Sequence, residues 1–285
     1  MSIKAIISNS IGKVLYAFRC VGWYSYYLKV RIKSSPKQVL LSDEWYLKER
    51  FLLIAPHADD ELLSSYTLLK RCPKITVYYC GFTGSNRDEK NRKERQREIY
   101  NVCKALNIQI IEGGGACDNL ADIVKDYDAI VLPSIVDWHE EHRKVSYLLY
   151  DMLRYAYVKP KIYSYSVTVP NENQEVIIAS SISKKEQNDK YSLFYKTYHS
   201  QKFMPIFRFR INERINGVYT NTFAAEFFSH HPIDEWLSKT SHIMQLEANG
   251  DKRLLCLCKG VANINNMKKV RKASRFFYEF INLYC

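Results

Sequence analysis

From residue 50 onward, short apolar runs alternate with amphipathic stretches. The runs "RFLLIAPH", "KITVYYCGFTG", "IQIIEGGG", "YDAIVLPSIVDW" and "KIYSYSV" are too short for buried helices and end in turn or charged residues. They read as buried strands. Between them, Leu62, Leu63, Tyr66 and Leu69 fall at helical spacing. So do Ile99, Val102, Cys103 and Leu106, and again Val145, Leu148, Leu149, Met152, Leu153 and Ala156. Strands that alternate with helices call for an α/β fold: a Rossmann-like, mostly parallel sheet with helices on both faces. Ligands of such sheets bind beyond the carboxyl ends of the strands.

The flanks differ from this middle. The reading divides the chain into a basic aromatic extension (1–48), an α/β domain (49–232) and a basic, helical C-terminal segment packed on it (233–285). With 285 residues, 47% of them hydrophobic, the chain can bury a sizeable core. Lysine and arginine exceed the acids by 12, which suits anionic partners such as phosphates, acidic glycans or lipid headgroups. Nucleic acid fits that charge but is not an expected partner. The eight cysteines form no C-x-x-C pair, so a structural zinc knuckle is not expected and a reducing cytoplasm is.

Lys4, Lys13 and Arg19 interrupt every early apolar run, so neither a signal peptide nor a spanning helix is expected. Residues 11–33, "IGKVLYAFRCVGWYSYYLKVRIK", leave two readings open. The segment packs on the domain by its aromatic face, or lies on an anionic membrane and makes a cytoplasmic protein peripheral. The alternation in 200–228 suggests added strands or a hairpin. His230 and His231 read as surface turn residues before Pro232.

Charge collects at two strand ends. "PHADDE" closes the first run with His57, Asp59, Asp60 and Glu61, and "DWHEEHRKV" closes the fourth with His139 and His142. Imidazole and carboxylate together suit zinc or another divalent first-row ion. Two ligands three positions apart, with a third from another strand, leave an open coordination position, as catalytic sites do. The acids could instead form an ordinary first helical turn, and the histidines a solvated one. Gly113–Gly115 lacks both G-x-G-x-x-G and a P-loop lysine, and reads as a rim loop.

"PHADDE" resembles the P-H-x-D-D-E signature of the LmbE-like (PIG-L) zinc-dependent N-deacetylases, and "HEEH" their H-x-x-H. "RQRE" (95–98), "YHSQ" (198–201) and "AAEFF" (224–228) are similar to further elements of that family. Ala58, Asn107 and Glu140-Glu141 depart from its usual residues. The resemblance implies His57, Asp60 and His142 as metal ligands, Asp59 as general base and a protonated His139 beside the oxyanion. Arg95 and His199 are candidate substrate contacts, although a solvated basic helix face explains Arg95 equally well and His199 could instead hydrogen-bond structurally; Glu61 reads as bracing the turn or the helix N-terminus. It implies removal of an N-acetyl group from an N-acetylhexosamine, free or in a nucleotide- or lipid-linked conjugate, in surface-polysaccharide or glycoconjugate synthesis. An amidase acting on a non-sugar N-acyl compound and a non-catalytic glycan-binding protein stay open as alternatives.

Overall fold

The computed structural model describes residues 3–34, 40–41, 45–83, 88–137, 139–157, 159–167, 178–201 and 204–251, of which 3–11 and 40–41 by backbone only. Strand β2 (Phe51–Ala55) pairs in parallel with β3 (Ile75–Tyr79) on one side and β5 (Ala129–Pro133) on the other. β4 (Gln109–Glu112) extends the sheet beyond β3, and β6 (Lys161–Tyr165) extends it beyond β5. β8 (Ala224–His231) runs antiparallel between β6 and β7 (Ile178–Ile182), and β1 (Leu40–Leu41) closes the far edge in parallel with β7. The sheet thus has eight strands, in the order β1-β7-β8-β6-β5-β2-β3-β4. The α/β, mostly parallel architecture expected from the alternation is the one observed.

Every residue of β2, β3 and β5 is buried, which is why their sequences are apolar but for Thr76 rather than alternating. Their side chains still divide by parity. Phe51, Leu53 and Ala55 enter the core under α2 (Asp60–Arg71), α3 (Glu89–Ala105) and α6 (Lys184–Thr197). Leu52 and Ile54 enter the opposite core, under α4 (Leu120–Val124), α5 (Glu140–Leu153) and α8 (Ile233–Ala248). Trp236 of α8 is buried there with Val145 and Leu149 of α5, and Glu247 receives Arg143 and, at 2.6 Å, the Tyr147 hydroxyl. The basic aromatic tract expected to cap the core lies in 252–285, outside the described residues.

α2 carries the "DDE" acids and is held by a buried polar cluster. Ser65 has non-helical torsions (φ −137°, ψ 27°), so the helix kinks there. The amides of Tyr66 and Thr67 then donate to the Glu226 carboxylate of β8, at 3.0 and 2.8 Å. Lys190 of α6, fully buried, donates to Glu226 (2.7 Å), Glu213 (2.6 Å) and the Leu63 carbonyl (2.8 Å). The glutamate of "AAEFF" is therefore a helix anchor.

Two expectations are corrected. Residues 206–220 form a helix, α7 (Ile206–Thr220), and not a hairpin. Phe207, Phe209 and Ile211 alternate because α7 is buried on two sides. Phe209 enters the core under α2, whereas Phe207, Ile211 and Ile215 pack with α1 (Ile3–Lys33). His231 is a buried strand residue 2.8 Å from the Ser164 hydroxyl, not a surface turn. Its ring alternates inward because β8 continues through it to Pro232.

Candidate metal centre

β2 and β5 are hydrogen-bonded neighbours, so the residues just beyond their carboxyl ends meet despite about eighty residues between them. His57 follows β2, Asp60 opens α2, and His142 lies in the first turn of α5. All three are buried. His57 Nδ1 is 3.0 Å from Asp60 Oδ2 and 3.1 Å from His142 Nε2, and His142 Nε2 is 3.3 Å from Asp60 Oδ2. Donors bound to one ion at ~2.0–2.2 Å, tetrahedral or octahedral, lie about 2.8–3.6 Å apart. The triangle fits that range.

The far side of each ring is backed by a carboxylate. His57 Nε2 is 2.6 Å from Glu141 Oε2, and His142 Nδ1 is 3.2 Å from Asp137 Oδ2. A proton held at each backing contact leaves a lone pair on His57 Nδ1 and on His142 Nε2. Two lone pairs and one carboxylate oxygen then converge, a donor set suited to a cation. Protons and a metal ion compete for it. Burial alone would lower His142, but Asp60 and Asp137 outweigh it and hold the imidazole at about 10. Against burial, His142 and His57 hold the Asp60 carboxyl well below its usual range.

His139, the N-cap of α5, brings its ring to 4.6 Å from His57 and 4.8 Å from His142, centroid to centroid. The three histidines offer ring nitrogens within 4.8 Å of one another. The tighter set is the one with Asp60, because its carboxylate bears a full charge and its edges are ligand-sized. Burial, with the positive rings of His57 and His142, pushes His139 down to about 4. Both effects oppose the protonated His139 expected from the resemblance. Its Nδ1 is buried with no hydrogen-bond partner among the described residues.

Asp59 stands at the N-cap of α2, yet its side chain makes no capping hydrogen bond. Its φ of 122° is rare for a residue with a Cβ, and such strain concentrates at functional sites. Burial and the neighbouring Asp60 and Glu61 raise its carboxyl well above the usual value, while Arg95 and His142 pull it back. Glu61 accepts the Asp59 amide at 3.1 Å and the Tyr198 hydroxyl, and so braces the turn.

The "YHSQ" turn clamps this region. Beside the Tyr198 contact, Ser200 donates its amide to Glu98 at 2.7 Å. The Gln201 side-chain oxygen, turned to Arg95, accepts from Nε at 2.9 Å and Nη2 at 2.7 Å. Arg95, so held, acts electrostatically on the Asp59 carboxylate and is not merely part of a solvated helix face. His199 is the exception. It is exposed and lines a surface hollow with Glu94, Arg97 and Lys196, apart from the triangle. Gly81 and Gly114 line a hollow with Tyr79, Arg92, Gln96 and Glu112, in keeping with a rim loop. Sequence reasoning missed Asp137 and Glu141 as ring-orienting groups; their one signal was proximity to His139 and His142.

No protein-family model matches the chain, and no curated protein is similar to it in sequence. Solved structures do share its fold. The N,N'-diacetylchitobiose deacetylase from Pyrococcus horikoshii matches with a TM-score of 0.52 and 17% identity, over 65% of this chain and 85% of that one. The zinc-inhibited form of teicoplanin deacetylase Orf2 matches at 0.50 and 13%, over 64% and 97%. GalB, the 4-carboxy-2-hydroxymuconate hydratase from Pseudomonas putida KT2440, matches at 0.50 and 12%, over 64% and 95%. The fold implied by the motifs is thus one shared with two deacetylases and a hydratase.

Proposed function

We propose that the protein is a metal-dependent N-deacetylase, with zinc or another divalent first-row ion held by His57, Asp60 and His142. The observation that carries this reading is the ligand-sized triangle with Asp59 beside it, strained and unused as a helix cap. A divalent ion supplies Lewis acidity at that point. Asp59 takes a proton from the water that attacks the amide carbonyl, then returns it to the departing amine nitrogen. The neutral His139 supplies a ring N–H towards the developing oxyanion. Glu141 and Asp137 keep the two ligand rings in register, and Arg95 holds the Asp59 side of the site. The products are acetate and a free amine.

The substrate class that best fits is an N-acetylhexosamine within a phosphate-bearing conjugate. Two deacetylases among the structural neighbours and the excess of 12 basic residues support it. The test is acetate release from N-acetylhexosamines offered free, nucleotide-linked and lipid-linked. Asp59→Asn keeps the shape but cannot accept the proton, and should turn over ~10²–10⁴-fold more slowly. Undiminished release by that variant would remove Asp59 as the base. Absence of release from every substrate by metal-loaded protein would turn the reading towards another reaction of this fold, such as hydration.

A further inference from the structure

α1 is a 31-residue helix with two unlike faces. On one, Trp23 and Val30 are buried against Ile211, Ile215 and Tyr219 of α7, and Trp23 stacks on Phe207 at 6.5 Å. The face with Trp23, Tyr26 and Tyr27 thus packs on the domain. On the other, Val14, Phe18, Val21, Leu28 and Ile32 fall on one line down the helix. They are 54%, 69%, 64%, 38% and 81% exposed, an apolar stripe facing outward that the exposed Ser25 interrupts between Val21 and Leu28.

The surroundings of this stripe say what would cover it. Lys13, Lys29, Arg31 and Lys33 are exposed around it, Arg19 is exposed on the Trp23 side, and α1 contains no acid. A second copy would bring like charge against like charge. The chain's own residues 252–285 hold eight basic residues against the single acid Glu279, so they offer no complement either. An anionic phospholipid surface complements both features, taking the apolar line among its acyl chains and the cations at its phosphates. No helix among the described residues is long and apolar enough to cross a membrane, so the helix lies along the surface.

We infer that the outward face of α1 docks the protein on an anionic membrane leaflet. The packed face makes this a rigid attachment, because α1 grips α7 next to Arg208, whose guanidinium feels the Asp137 carboxylate at the candidate site. The inference rests on α1 alone and does not depend on the reaction proposed above.

The test is co-sedimentation of the full chain with phosphatidylglycerol–phosphatidylcholine vesicles and with pure phosphatidylcholine. The wild type should bind only the anionic vesicles, and less so at high salt. F18S/V21S/I32S changes no charge and should weaken binding at least tenfold. K13Q/K29Q/R31Q should weaken it about a hundredfold, at roughly fivefold per cation. Both should keep the wild-type melting temperature, since these side chains face outward. Equal binding by all three proteins overturns the inference. So does a wild-type dimer that the serine variant dissociates, which would assign the face to self-association. A clear fall in melting temperature in the serine variant, without vesicle binding by the wild type, overturns it too, by showing that the chain itself covers the stripe.

Discussion

Lys190→Met removes the one described cation between Glu213 and Glu226. Lys190 is fully buried, and the two carboxylates are nearly so. Burial opposes its charge, but Glu213 and Glu226 outweigh that and raise the ammonium above its ordinary value. Methionine fills similar volume and leaves two buried carboxylates facing each other. Removing one partner of a buried ion pair costs about 3–5 kcal/mol. For a chain of this size each kcal/mol moves the melting temperature by about 2–4 °C, so the variant should melt roughly 6–20 °C lower. Thermal and urea denaturation followed by circular dichroism measure this. The partner control is K190M/E213Q. Glu226 keeps the Tyr66 and Thr67 amides and the Thr67 hydroxyl as donors, so neutralising Glu213 should restore more than half of the loss. A single variant within ~1 kcal/mol of wild type, or a double variant no better than the single, would refute the view that a compensated buried charge cluster anchors α2.

Three further outcomes are expected. Glu141→Ala removes the acceptor 2.6 Å from His57 Nε2 and should weaken metal affinity ~10–100-fold, measured by competition with a chromogenic chelator. Gly217→Ala places a Cβ 2.7 Å from both the Ala224 Cα and the Thr222 carbonyl oxygen; α7 and β8 must part, at about 1–3 kcal/mol in denaturant melts. Glu186 is opposed by burial, but the Ser183 cap and Arg71 win and lower it from 4.5 to about 2. Its stabilising share is present above about 4.5 and lost as the pH falls towards about 2, so the advantage of wild type over Glu186→Gln should shrink across that window in pH-dependent melts.

The central sheet was legible because β2, β3 and β5 are short, wholly buried and flanked by helices with one apolar face each. α7 was not, because burial on two sides erases the stripe that marks a helix. α6 and β7 carry too many polar residues to stand out: Lys190 and Gln187 are buried but paired, and Ser180 is buried in the middle of β7. At the candidate site, "PHADDE" and "HEEH" pointed to His57, Asp60 and His142 as one group, and the fold brings them together. The contacts that orient them were not legible. Asp137 and Glu141 act through position, not type, and the pairing of Tyr198, Ser200 and Gln201 with Glu61, Glu98 and Arg95 spans about a hundred residues or more. The charge of His139 depends on burial and on two neighbouring rings, neither of which spacing reveals.

The most direct test is the metal content of the purified full chain by elemental mass spectrometry, wild type beside His142→Ala. The wild type should carry about one divalent first-row ion per chain. His142→Ala, left with two of the three converging ligands, should lose most of it, because two protein ligands rarely retain such an ion. A wild type with no such ion after growth and purification with zinc, or a variant that keeps full occupancy, would contradict a metal centre at His57, Asp60 and His142.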